Sequence, residues 1–511
     1  MQTPDAPLFP HTLLEAFRAA PDSVAFEQGS RKTTRGELLE LILRLASAMR
    51  ALGLGPGRGV AIVVGVSAEA FAVHLAAHVS GACVVALRNG YTPRQLSHVL
   101  AMGVEALVID PAEVTPELKD AARSLRWLSL GPYPTAVNLL DCAVGSDSLD
   151  VTTRADDVAA LHFTSGSTGD AKGCAVTYGA LSQHFAWKGP RVWSPVAAEL
   201  AAGFARYMLF GTLSSAVVKE CLALCLLGGG TAVIPENDGR QIFPYAIARH
   251  RISGSIVTVP RLYRMLDILK DERLDMSSLR ALMIGGSPIN PTRLAAALER
   301  FGPVVYQGYG QNEAGSISML TPAHVARHPA AALTSVGRPH PEVEVSIRNS
   351  FDLSVATGET GEIHIRSPYQ MQHYFGQPDE TREVLRDGWL RTRDLGYLDE
   401  HGFLHLVGRT REVAMINAMV VYLGPIEQVL ASHPDIDQAY VVEAPDEESG
   451  EAIHAFVVPA PGRSLHVPTL QSLVRAELGD DSVPKTITEL EHVPVAETGK
   501  PDKHALRRKL A

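Results

Sequence analysis

Cysteine is scarce and unpaired in this chain. Its five cysteines, Cys83, Cys142, Cys174, Cys221 and Cys225, fall at no paired spacing. That excludes a disulfide framework and points to a reduced, cytoplasmic setting. Cys221 and Cys225 stand four apart, but Leu222, Leu224, Leu226 and Leu227 surround them. The pair reads as core packing, not as metal ligands. Positive charge is not in excess either: 46 Lys and Arg against 56 Asp and Glu give a formal charge of −10. A chain of that sign is not built to hold nucleic acid. The N-terminus, Met1-Gln-Thr-Pro-Asp-Ala-Pro7, lacks the basic-then-apolar pattern of a leader. Long apolar runs are missing apart from 18 uncharged residues at 70–87, marginal for crossing a bilayer. The run contains His74, His78, Ser80 and Gly81, so it reads as a buried helix, a turn at Gly81 and a strand at 83–87. No membrane span is expected. There is no internal repeat and no long low-complexity linker.

What is present is an ordinary globular composition, 46% hydrophobic and 20% charged over 511 residues. That length is too great for one core, so two or more domains are expected. Thr33-Thr-Arg-Gly-Glu-Leu-Leu39 opens a helix, with Leu38, Leu41, Ile42, Leu45, Ala48, Met49 and Leu52 at helical spacing and Glu40 and Arg44 off that face. Strand and helix then alternate through 60–66, 70–80, 83–87, 92–102 and 106–109, and again through 231–234, 243–250, 254–259, 261–269 and 279–284. The alternation predicts a large layered α/β domain with parallel strands. Beyond about 410 the pattern changes to strands at 439–443 and 454–459 around an acidic turn at 446–451. The expected division is therefore 1–410, a large domain, and 411–511, a small α+β domain of about a hundred residues.

The most informative stretch is Thr164-Ser-Gly-Ser-Thr-Gly-Asp-Ala-Lys-Gly173, which follows the apolar strand 158–163. Glycines let a backbone approach a ligand closely. Consecutive N–H groups and hydroxyls make a concave anion site, and a lysine adds charge. Thr164, Ser165, Gly166, Ser167, Thr168, Gly169 and Lys172 form a polyphosphate cradle by composition. It is not a Walker A loop, because Ala171 precedes Lys172 and Gly173 follows it. The alternative is a surface turn rich in small residues. A second glycine cluster, Gly53-Leu-Gly-Pro-Gly-Arg-Gly59, lacks dinucleotide-fingerprint spacing and precedes its strand, so it reads as a connector.

T-S-G-S-T-G-x-x-K-G closely resembles the phosphate-binding signature of the adenylate-forming enzymes: acyl-CoA synthetases, aryl-CoA ligases, luciferase and peptide-synthetase adenylation domains. The resemblance runs from about Phe26 to Leu510, with further motifs in the family's order. In Gly285-Gly-Ser-Pro288, Gly286, Ser287 and Pro288 resemble the adenine site, where small residues at a strand's end leave space for a ring. In Gln307-Gly-Tyr-Gly-Gln-Asn-Glu313, the resemblance gives Tyr309 the adenine face, Gly310 and Asn312 the nucleotide, Gly308 the acid pocket, and Glu313 the Mg²⁺ ion. Asp394 and Arg409 match ribose and phosphate contacts; apart from the resemblance each reads as a surface ion pair. Lys500, in Glu497-Thr-Gly-Lys500, matches the catalytic lysine, whose ammonium relieves the repulsion between a carboxylate and the α-phosphate. Apart from that match it belongs to a basic tail with Lys503, Arg507, Arg508 and Lys509. The resemblance implies that ATP and an acid give acyl-AMP and pyrophosphate, after which the acyl group passes to a nucleophile. CoA is the usual one.

The chain also departs from the family pattern. Ser214 falls where the acid pocket usually has a histidine, and Lys219 and Glu220 follow it. If the helix carrying them lines the pocket, the acid is polar or very small; otherwise the pair lies on the outer face. Asn312 replaces a usual threonine, and Arg411 stands, in place of Asp or Lys, where the resemblance implies the pivot of a mobile small domain. Met415 and Ala418 replace a lysine and a glycine, and the glycine normally leaves room for the pantetheine arm. Leu423 and Pro425 replace a proline and a glutamate, while Glu427 remains. Two enzyme readings follow. One is an acyl- or aryl-CoA ligase. The other is an adenylating enzyme with an amine acceptor, an amide-forming ligase or one resembling the diazotases that activate nitrite for an arylamine. The chain ends at Ala511 with no fused carrier domain, so a carrier protein would be a separate partner. A non-catalytic nucleotide-binding relic is disfavoured by Glu313, Asp394, Arg409 and Lys500.

Overall fold

The computed structural model describes residues 7–87, 90–142, 153–164, 171–236, 239–287, 289–416, 419–446, 450–496 and 500–510. Two large sheets, of nine and eight strands, form the body of the molecule. Parallel pairs fill their interiors, as in Gly254–Thr258 beside Ala281–Gly285 and Gly59–Val63 beside Cys83–Ala86. Antiparallel strands close both edges of the nine-stranded sheet and one edge of the eight-stranded sheet, so the sheets are mixed and not purely parallel.

The helices Arg35–Ala51, Ala68–Val79 and Ala216–Leu227 share one apolar core with strands of both sheets. In Ala68–Val79 every residue except Glu69 is buried. A helix that is apolar all round belongs in an interior layer, which accounts for the uncharged run at 70–87 without a membrane. Among the described residues no helix is long and apolar enough to cross one. The helix expected from Thr33 starts at Arg35. Thr34 caps it in a reciprocal box with Glu37, and Thr33 belongs to the preceding strand, Arg31–Thr34. Cys221 and Cys225 are buried in the core.

A third sheet gathers Glu344–Arg348, Gly361–Arg366, Leu385–Arg386, Trp389–Leu398 and Leu404–Arg409. A fourth holds Val413–Ile416, Met419–Tyr422, Ile436–Asp446, Gly450–Pro459 and Thr486–Glu489. The strand expected at 439–443 runs on to Asp446, because its ladder continues until Asp446 faces Gly450. Lys503 clamps the start of this last part, with its ammonium on Glu412 and 2.8 Å from Glu427. Glu427 also accepts a hydrogen bond from the Val441 N–H at 2.7 Å.

Candidate active site

The strands Val158–Thr164 and Lys172–Thr177 pair antiparallel, with Thr164 opposite Lys172. Ser165, Gly166, Ser167, Thr168 and Gly169 lie outside the described residues, as do Pro288 and Ala418. Lys172 is buried, its ammonium on Glu380 and 5.4 Å from the centre of the Tyr374 ring. That ammonium holds the Glu380 carboxyl below its usual range. Tyr374 donates its hydroxyl to Glu313 at 2.9 Å. Lys172 and Glu313 therefore flank one aromatic ring.

The strands Ala281–Gly285 and Val305–Gln311 run parallel with Ile284 beside Gln307, so their carboxyl ends lie side by side. Gly286 follows with φ of +97°, a conformation open to glycine and rarely to other residues. A Cβ there would sit 4.0 Å from Lys500 Cε. The lysine from the last sheet's domain thus reaches the glycine turn of the large sheet. Ser287 adjoins that turn. A Cβ on Gly308 would meet Met283 Cε at 2.8 Å, so a side chain there would push the end of that methionine aside. A Cβ on Gly310 would meet the Gly315 carbonyl at 2.4 Å.

Asp394 is the hub of the site and is not a surface residue: it is 4% exposed. Its carboxylate accepts from Tyr309 Oη and Gln311 Nε2, both at 2.6 Å, and from Arg409 Nε at 2.9 Å. Burial, then the charge of Asp394, pushes the Tyr309 phenol well up, so it stays a donor. Tyr309 is itself buried, and its ring packs with Ala314, Ile317 and Tyr369. Asn312 donates to the Phe163 carbonyl at 2.7 Å, which ties this strand's end to the phosphate stretch. Sequence reasoning passed over Arg393. Its φ of +61° is rare for a side-chain-bearing residue, and its carbonyl accepts the Thr410 N–H at 2.9 Å. Strained backbone gathers at functional sites, but no sequence pattern at Thr392-Arg-Asp394 announces it.

Lys219 and Glu220 do not lie on an outer face. Lys219 is buried, and both line an interior chamber with His74, His78, His162 and Trp187. Burial pushes Lys219 down to about 8 and Glu220 up to about 7. His184 Nε2 stands 3.6 Å from Glu220. Ser214 lies apart, 2.9 Å from Thr212 Oγ1 and before the helix begins. The histidines were visible in the sequence only as polar breaks in an apolar run.

Two strand ends side by side, a buried carboxylate hub and a lysine from a second domain together define a class. The chain belongs to the AMP-binding enzyme family, matching it over residues 13–375 and its C-terminal domain over 425–500. Among solved structures it is similar to the amide bond synthetase McbA from Marinactinospora thermotolerans, at 34% identity and a TM-score of 0.85, covering 98% of this chain and 100% of that one. Among curated proteins it is 31% identical to a feruloyl-CoA synthase of Amycolatopsis sp over 495 positions, 96% of this chain and 97% of that one. It is 29% identical to the medium/long-chain-fatty-acid–CoA ligase FadD8 of Mycobacterium tuberculosis, covering 97% of this chain and 89% of that one. The chain is an ATP-dependent, AMP-forming acid ligase.

Proposed function

We propose that this chain, acting in the cytoplasm, activates a carboxylic acid as its acyl-adenylate and passes the acyl group to CoA. The observation that carries the reading is that Lys500 Cε lies 4.0 Å from the Cβ position of Gly286, whose strand pairs with the one that leads to Glu313. In the first step the acid's carboxylate attacks the α-phosphate of ATP, and pyrophosphate leaves. Lys500 stabilises the charge that builds up there. Asp394 and Arg409 hold the ribose, Tyr309 and Gly286 border the adenine, and Lys172 with Thr164 and its neighbours holds the outer phosphates. Glu313 supplies one hard oxygen to Mg²⁺, with most remaining ligands coming from phosphates and water. In the second step the CoA thiol displaces AMP, giving a thioester.

We place the domain boundary at 410/411. Support comes from the sheets: Leu404–Arg409 belongs to the third, and Val413–Ile416 opens the fourth.

An amine acceptor is the second reading. It is favoured by Met415, 44% exposed where a lysine is usual, and by the 34% identity to an amide bond synthetase. A separate carrier protein is a third acceptor; ScoC of Streptomyces coeruleorubidus, 29% identical, is named a fatty acid–[acyl-carrier-protein] ligase. The test follows pyrophosphate release over a panel of acids, then analyses products by mass spectrometry with CoA and amines in competition. Thioester in excess supports CoA. Amide in excess moves the assignment to the amine.

Asp394→Ala checks the nucleotide site. It leaves the Tyr309 hydroxyl and the Gln311 amide without their shared acceptor, at a cost of about 1–3 kcal/mol of stability. The KM for ATP is expected to rise by about tenfold or more, while the KM for the acid stays nearly constant. Equal change in both would place Asp394 outside the nucleotide contact.

A further inference from the structure

The chamber between the helices Ala68–Val79 and Ala216–Leu227 holds an ammonium with no contact partner among the described residues. The Lys219 ammonium has no hydrogen bond or ion pair among the described residues, although the side chain is buried. Glu220, its neighbour in sequence, also lines the chamber and attracts it through space, but the two make no ion pair, since adjacent residues on a helix do not face each other. Nδ1 of His74 and of His78 are buried without partners. Burial lowers the basicity of His74, His78 and His162, so these rings are neutral and offer N–H donors. Phe71 and Trp187 supply apolar walls. Burying an ammonium without a counter-ion is costly, and such a group stays buried when something anionic answers it.

The chamber has a direction. Ala160 and His162 line it from the strand Val158–Thr164, and Thr164 points to the same face two residues further on. Thr164 opens the phosphate stretch. The chamber thus lies about 7 Å back along that strand from where the nucleotide phosphates are proposed to bind. A benzene ring between two carboxylates covers that span.

We infer that the chamber receives a second anionic group of the acid substrate, so that this ligase acts on dicarboxylic acids: one carboxylate is adenylated and the other is held by Lys219 among the histidines. This rests on the acid-activating reading above. Two observations carry it together: a buried ammonium without a hydrogen bond or ion pair among the described residues, and its position behind the reacting end.

The experiment measures ATP–pyrophosphate exchange with phthalate, isophthalate, terephthalate, succinate and adipate, each beside its monomethyl ester. At least one diacid is expected to exceed its ester by about 100-fold in kcat/KM, since a site built around a buried polar partner rejects the analogue lacking it. Lys219→Met is expected to reduce that ratio to about threefold or less, through the acid's KM and not ATP's, and Lys219→Arg to retain most of it. Lys219→Met removes a buried charge and puts an apolar chain in its space, so folding is not at risk. Esters that serve as well as diacids overturn the inference. So does a diacid preference that survives Lys219→Met, including the case where Glu220→Gln impairs only transfer to an amine, which would make the chamber an acceptor site. Calorimetry of the same diacids without ATP separates the two proposals. Binding that depends on Lys219, with no exchange from any acid, sinks the acid-ligase reading and leaves the chamber standing. No Lys219-dependent binding and no exchange sinks the chamber as well.

Discussion

Replacing Lys500 by alanine is expected to slow adenylate formation about 10²–10³-fold, roughly 3–4 kcal/mol at the transition state. The remaining proposed nucleotide contacts, Asp394, Arg409, Tyr309 and Lys172, sit on the large domain, so the KM for ATP should change little. The second half of the reaction separates the explanations. If the last domain turns away between steps, Lys500 is distant when the adenylate is consumed. The variant, given presynthesised adenylate, should then transfer the group at near-normal rate. Equal loss in both steps would mean that one arrangement serves both. No loss in either would return Lys500 to the basic tail.

Arg293→Ala should have the largest effect on stability. Arg293 joins the two domains: Nε and Nη2 grip both oxygens of Asp437, the latter at 2.7 Å, and Nη1 reaches Asp267 at 2.9 Å. Asp437 is 8% exposed, so removing its partner strands a buried carboxylate. Such losses cost about 3–5 kcal/mol. Asn290 supports the same junction, donating to the carbonyls of Ala431 and Asp437. Because these contacts cross between domains, the cost falls on this arrangement and not on either core. Urea unfolding should therefore show an early, separate transition for residues beyond 411. Adenylate formation should fall and transfer from presynthesised adenylate should not. A single unchanged transition with both rates intact would show that the pair holds nothing in place.

Long strands and interior helices were legible in the sequence because apolar runs and caps are local. The helix opened by the stretch from Thr33 and the run at 158–163 needed no distant partner to be read. Asp394, Tyr309 and Arg409 were each legible as separate contacts through resemblance, but their union was not, since it brings together three separate segments. Lys219 and Glu220 were ambiguous for a definite reason. Ala216–Leu227 is apolar on nearly every side, so periodicity could not say which way a charge pointed. The chamber needs residues 74, 78, 162 and 219 from three separate elements, and no spacing rule connects them. The φ of Arg393 has no compositional sign at all.

The Lys172–Glu380 contact has a consequence for how ATP competes for this enzyme. A lysine already neutralised by a carboxylate does not attract every passing anion. Phosphate entry at Lys172, in its proposed role, is an exchange: one anion arrives as another is displaced. Small anions that bring no divalent cation and few contacts gain little from such an exchange, because they mainly replace one negative group by another. A triphosphate brings several charges and a divalent cation and can outbid the carboxylate. The resting protein is thereby selective through occupancy, and inorganic phosphate or sulfate at millimolar levels should inhibit it weakly.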